Sequence, residues 1–206
     1  MKFDELNQLK AYYEVMDISD SDKKKRVELA LDLFDAFYFV LFMIATEFSV
    51  KPPEIPKTER TDVEKPSDIQ EYKESLRVRI EDVLSGTPYE QDYIPRLVDE
   101  VIDTTFRHTD DEYYTSKERA LLIAQNESNS VLNYNDFLSA KDKGSKFKQW
   151  ITEGDEKVRF AHAEVDYTRI PIDDFFVVGG EQMRYPHDPT ASADNIVNCR
   201  CTCKYT

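Results

Sequence analysis

The chain has 206 residues with 40% hydrophobic and 12% aromatic content, enough for one good core or two small ones, and this excludes a chain disordered throughout. Its formal net charge of −14 is uneven: residues 1–110 carry 15 basic and 25 acidic side chains, residues 111–206 carry 12 and 16. So acidic a surface repels a phosphate backbone, which disfavours nonspecific DNA binding by the whole molecule and leaves room only for a local contact.

The N-terminus, M-K-F-D-E-L-N-Q-L-K, has neither an apolar core segment nor a small-residue cleavage site, so a protein that stays in a cytosol is expected. Residues 2–16 read as a short amphipathic helix. The run S19-D-S-D22 then supplies capping oxygens for a longer helix from about Lys23 to Phe48. Its second half, Ala36 to Ala45, has no polar face and must be covered on all sides. A membrane span needs about 18–20 such residues, and Asp32 and Asp35 interrupt the run upstream, so burial in a bundle or against another subunit is the expectation. Residues 49–67 hold four prolines and eight charged residues, the composition of a linker or extended arm. Helical patterning returns over 68–84, stops at S85-G-T-P88 and resumes over 89–107, with Ile94, Leu97, Val98, Val101 and Ile102 on one side. A further helix is expected from Glu112 to about Leu132.

Beyond Asn133 the pattern changes to a turn (K141-D-K-G-S-K-F-K148), a short strand at 147–152, and strand candidates at 175–178 and 196–205. Thr152 and Asp155 have the spacing of a capping box, so a helix is expected from Glu153. Three turns of it would align Asp155, Arg159, His162 and Asp166 on one stripe. The chain as a whole therefore reads as α+β, a helical N-terminal half followed by a small C-terminal domain with a helix packed on a short antiparallel sheet.

The chemistry concentrates at the C-terminal end. All three cysteines fall in N198-C-R-C-T-C203, and the same quarter of the chain holds the only Trp and two of the three His. Alternate cysteines without a distant partner argue against a disulfide framework, leaving reduced thiols or a metal site. On a straight strand Cys199 and Cys201 would lie about 6–7 Å apart, whereas two thiolates on one zinc sit under about 4 Å apart, so a chelate requires a bend. Two readings stand for His162, His187, Cys199 and Cys201: a Cys/His zinc site, or buried thiols packed as small hydrophobes with no cofactor. Lys141, Lys143, Lys146 and Lys148 around the turn offer either a local phosphate contact with DNA or a merely solvated loop. No Ser/His/Asp arrangement, P-loop or G-x-G-x-x-G is present. The enzymatic alternative is a metal-assisted nuclease or hydrolase, with His162 as base or ligand, Arg159 holding a phosphate and Asp155 orienting the His.

The ordered set A-x-x-I-A-x-x-E from Ala120, then G-x-x-x-K-x-W, D-x-x-V-R-x-x-H, F-x-x-G-G, P-x-D-P and N-C-R-C resembles the phage head morphogenesis family typified by the Mu F-like minor head protein. It is carried by Glu127, Gly144, Trp150, Asp155, Arg159, His162, Phe175, Pro186, Asp188, Asn198, Cys199 and Cys201. The family's T-E is N126-E127 here, and its Gly after the His region is replaced around Asp166-Tyr167. The resemblance implies a minor structural protein of a tailed-phage capsid, working in head assembly, portal association or genome packaging and delivery. It also implies portal or major capsid protein as partners, no membrane while in the head, and a place in the virion after assembly in the host cytoplasm. Similar domains lead certain toxins, where they look like a trafficking module. The expected organisation is thus an N-terminal helical segment (1–50), a linker or arm (51–67), a helical region (68–114) and a Mu F-like domain (115–206). In that last unit Asp155, Arg159, His162, Asp188, Asn198, Cys199 and Cys201 are expected to form one structural polar cluster.

Overall fold

A computed structural model describes residues 2–47 and 69–206. The expected linker at 51–67 lies outside the described residues. Helices α1 (Lys2–Glu14), α2 (Asp20–Glu47), α3 (Ile69–Val83) and α4 (Tyr93–Arg107) are followed by a 3₁₀ turn (Glu112–Thr115) and α5 (Lys117–Asp142). After them come β1 (Phe147–Ile151), α6 (Phe160–Glu164), β2 (Arg169–Pro171), β3 (Phe176–Val178), β4 (Glu181–Met183), α7 (Ala193–Ile196) and β5 (Thr202–Tyr205). The fold is α+β.

Local chemistry sets several of these boundaries. Asp22 N–H donates to Ser19 Oγ at 3.2 Å, satisfying a free amide in the first turn of α2, and Arg119 N–H does the same with Ser116 Oγ at 3.1 Å for α5. By length and composition α2 could cross a membrane, but α1, α3 and α5 pack on it, and Phe37, Leu41, Ile44 and Ala45 of its apolar half are buried among them. Helices α1 to α5 share one core, which runs from Leu9 to Val131 and includes Tyr72, Leu76 and Ile80 of α3 and Ile94, Val98 and Ile102 of α4. The boundary expected at residue 115 falls at the end of the 3₁₀ turn, just ahead of α5, and α5 contributes to this bundle core through Ala120, Leu121 and Ala124.

Helix α5 runs ten residues beyond its expected end because its polar side chains are buried rather than solvated. Asn126, Ser128, Asn129, Ser130 and Asn133 are all buried, and several are paired across the molecule: Arg26 donates to Asn129 Oδ1 at 2.8 Å and to Asn133 Oδ1 at 2.9 Å, and Ser128 Oγ donates to the Arg26 carbonyl at 2.9 Å. These long-range bonds override the turn preference of an Asn/Ser-rich run.

The C-terminal unit has a three-stranded antiparallel sheet in the order β2-β1-β5 and a separate β3-β4 hairpin. Gly179 and Gly180, with φ of 58° and 86°, form the hairpin's two-residue turn, the geometry that non-glycine residues rarely adopt. Trp150, Phe176, Val178, Met183, Cys199 and Cys201 make a second core, while Phe137 and Ala140 of α5 pack with Ile172 and Tyr185. Helix α5 therefore serves both the bundle and the sheet.

Two expectations are corrected here. The three-turn helix from Glu153 does not form: Gly154 takes φ 65°, Lys157 N–H turns back to Asp155 Oδ1 at 3.1 Å, and only Phe160–Glu164 is helical. The last strand is four residues long, because 193–196 form α7 and the cysteine segment before Thr202 is irregular.

Candidate functional site

The turn between α7 and β5 brings the thiols to the histidine. Asn198 takes φ 57°, and its N–H is held by Asn126 Oδ1 at 2.8 Å, so the chain bends before Cys199 instead of running straight into the strand. The bend lets Cys201 N–H reach Cys199 Sγ at 3.4 Å. On the other side α6 presents His162, whose Nδ1 stands 3.4 Å from Cys201 Sγ and 3.6 Å from Cys199 Sγ. These three ligand atoms lie within 4.8 Å of one another, on residues exposed by 1%, 2% and 4% for His162, Cys199 and Cys201.

Their surroundings are specific. The Cys199 carbonyl accepts from Tyr12 Oη at 2.7 Å and from His187 Nε2 at 2.5 Å, which places the His187 proton on Nε2. Trp150 stands edge-on to His162, with ring centroids 5.7 Å apart at 84°. A hydrogen bond from the Cys201 thiol holds the Cys199 thiol well below its ordinary pKa against the opposing effect of burial, with His187 and His162 adding to the depression. Cys201 is shifted the other way by the same bond and by burial. Cys203 is pushed up to about 12 by burial.

The remaining expected site residues divide into two groups. Arg159 lies beside the thiols, lining a narrow crevice with His162, Asn198, Cys199 and Cys201, and its Nη2 donates to the Val197 carbonyl. Asp155 does not orient His162. It forms a two-point ion pair with Arg200, the residue between the paired cysteines, at 2.8 and 2.6 Å, and this pair lowers its pKa. Asp188 belongs to a different network: fully buried, it accepts from Arg184 Nε and Nη2 at 2.7 Å each, while Arg184 also reaches Glu90 at 2.5 Å. Burial opposes ionisation of Asp188, but Arg184 and the backbone N–H groups of Arg184 and Thr190 outweigh it and keep the carboxyl below the usual range.

Two further expectations change. His187 stands outside the three-atom cluster, its Nε2 committed to the Cys199 carbonyl. Lys148 is not a surface cation: it is 1% exposed, donates to the Arg184 carbonyl at 2.7 Å and lies 5.1 and 5.4 Å from the Phe137 and Phe176 ring centroids. Burial brings its pKa down to about 8. Of the other turn lysines, Lys141 pairs with Asp173 at 2.6 Å, while Lys143 and Lys146 are exposed. Sequence pattern alone missed Tyr12, Asn126 and Arg26, whose partners are more than 70 residues away. The Asn/Ser run of α5 was the available signal, since a helix that polar must find buried partners or fray.

A family model described as "Phage Mu protein F like protein" matches residues 72–204. Among curated proteins, the NAD(+)–arginine ADP-ribosyltransferase EFV of Enterococcus faecalis is 30% identical over 100 residues, which cover 47% of this chain and 20% of that protein. The chain thus spans about a fifth of the length of this relative. No solved structure matches.

Proposed function

This chain belongs to the phage Mu protein F-like family, and from that membership we propose that it is a head morphogenesis protein, a minor structural component of a tailed-phage capsid. The carrying observation is the extent of the match, which begins within α3 and runs through the sheet to β5, taking in the histidine and both paired cysteines. The proposed partners are other capsid components, with the portal or the major capsid protein as the specific ones. The proposed location is the assembled particle, reached from the host cytoplasm.

The surface suits contact with protein. Phe160 is 79% exposed, Tyr167 67% and Val177 59%, and Phe160 and Val177 sit on α6 and β3, which pack together. Exposed large apolar side chains on neighbouring elements favour a protein interface over a phosphate backbone, and the net charge of −14 acts in the same direction. The hydrolase reading with His162 as base gains no support from the geometry. Its proposed base is buried against two thiols, its orienting carboxylate is paired with Arg200, and its phosphate-holding arginine is turned to a backbone carbonyl.

Deleting the gene from the phage genome tests this proposal. Infectious yield is expected to fall, with defective or empty heads in electron micrographs and recovery on complementation. Wild-type yield and morphology without the protein would overturn it.

A further inference from the structure

We propose that His162, Cys199 and Cys201 bind one zinc ion, which joins α6 to the loop entering β5. Hydrogen bonds account for part of the cluster, since Cys199 Sγ also accepts the Cys201 N–H. Two thiols converge on one imidazole nitrogen, and that nitrogen has either one proton to give or one lone pair to offer, so it can satisfy only one of them. A metal resolves the convergence. With Zn–S near 2.3 Å and Zn–N near 2.0–2.1 Å, tetrahedral geometry sets neighbouring sulfur and nitrogen about 3.6 Å apart. The observed separations of 3.4 and 3.6 Å match that figure before any ion is introduced.

The donor set and its supports agree with a soft divalent cation. Two thiolates and an imidazole suit zinc better than the hard cations, which prefer oxygen ligands. Two thiolate charges balance the ion's own, so the buried centre is neutral once Cys199 and Cys201 have released their thiol protons to solvent. Metal on Nδ1 of His162 would leave the remaining ring proton on Nε2, a buried atom with no hydrogen-bond partner among the described residues. The loop is held from behind by Tyr12 and His187 on the Cys199 carbonyl and by Asn126 on the Asn198 amide, the kind of outer support that fixes ligand orientation.

Three protein ligands leave a fourth position, and Glu153, Lys157, Arg159 and Asn198 line a crevice together with the three ligands. The free space there is about 10 Å³, room for about one water molecule as the fourth ligand. Cys203 is no ligand: it sits on β5, opposite Trp150 of β1, apart from the three converging atoms.

The experiment uses the full chain purified from zinc-supplemented cells without added chelator. Elemental analysis is expected to give one zinc per folded chain, and replacement by cobalt(II) an intense near-ultraviolet thiolate-to-cobalt band. Cys203→Ser should keep both signals, and Cys201→Ser and His162→Gln should each lose most of the bound metal. If those two variants fail to fold, the cobalt spectrum of the unaltered chain and the Cys203→Ser result decide. Folded wild-type protein holding less than a tenth of an equivalent after refolding in excess zinc, or a cobalt complex lacking the thiolate band, would overturn the site. So would Cys203→Ser losing as much metal as Cys201→Ser.

Discussion

Replacing Glu127 with Gln should stabilise the protein at pH 8 and leave it little changed at pH 5. Glu127 lies on α5, partly buried, and its Oε2 accepts from Tyr93 Oη at 2.6 Å. Burial raises its pKa from the ordinary 4.5 to about 7, with Tyr93 and His187 acting in the opposite direction and Glu100 adding to the rise. An acid whose folded pKa lies above its unfolded value contributes full stability below the unfolded pKa, and that contribution is lost as pH climbs through the folded one. Across the interval from 4.5 to about 7, at about 1.4 kcal/mol per unit, the loss is about 3 kcal/mol, and residual solvent contact reduces it to about 2 kcal/mol. Gln keeps the shape and a carbonyl oxygen for Tyr93 while removing the charge. For a chain of this size about 2 kcal/mol corresponds to a rise in Tm of about 4–8 °C at pH 8. Thermal unfolding followed by circular dichroism at pH 5 and pH 8 provides the measurement. Equal shifts at the two pH values, or destabilisation at pH 8, would refute the assignment of a neutral-preferring carboxyl.

Arg26→Met should destabilise the chain by about 2–4 kcal/mol in denaturant titration, since it strands the Asn129 and Asn133 amide oxygens in the interface between α2 and α5; a change below about 0.5 kcal/mol would mean those oxygens find other partners. Asp188→Asn should cost about 2 kcal/mol at neutral pH by breaking the two-point pair with Arg184. Because the folded pKa of Asp188 is depressed, its contribution is present above the ordinary carboxylate range and lost as pH falls through the lowered value, so the gap between variant and wild type should close in acid. A gap that stays constant down to pH 3 would point to packing instead. Asn126→Ala should release the Asn198 amide and raise hydrogen exchange in the 197–201 segment ahead of any change in the β3-β4 hairpin.

The bundle helices were legible because their signals are local. Ser19 and Asp22 mark the start of α2, Gly86 and Pro88 separate α3 from α4, and the apolar spacing of Ile94 to Ile102 fixes the buried face of α4. What escaped depends on partners far along the chain. The later part of α5 is Asn- and Ser-rich, and Arg26, Tyr12, Pro186 and the Asn198 amide, brought in by the fold, make a buried helix of it. Strands β2 and β4 are three residues each, too short for alternation to register. At the site, the crowding of Cys, His and Trp into one quarter pointed to the region where His162, Cys199 and Cys201 converge, but the stripe of Asp155, Arg159 and His162 presumed a helix that Gly154 and the turn at Asp155 prevent. The bend at Asn198, which makes the thiols converge, depends on Asn126 and so lies beyond any local pattern.

Mass spectrometry of density-gradient-purified phage particles tests the functional account most directly. The account predicts peptides of this chain in intact, DNA-filled particles at a small fraction of the major capsid protein's abundance, retained through high-salt washing. Infectious particles that lack the chain at a detection limit well below one copy per head would contradict it.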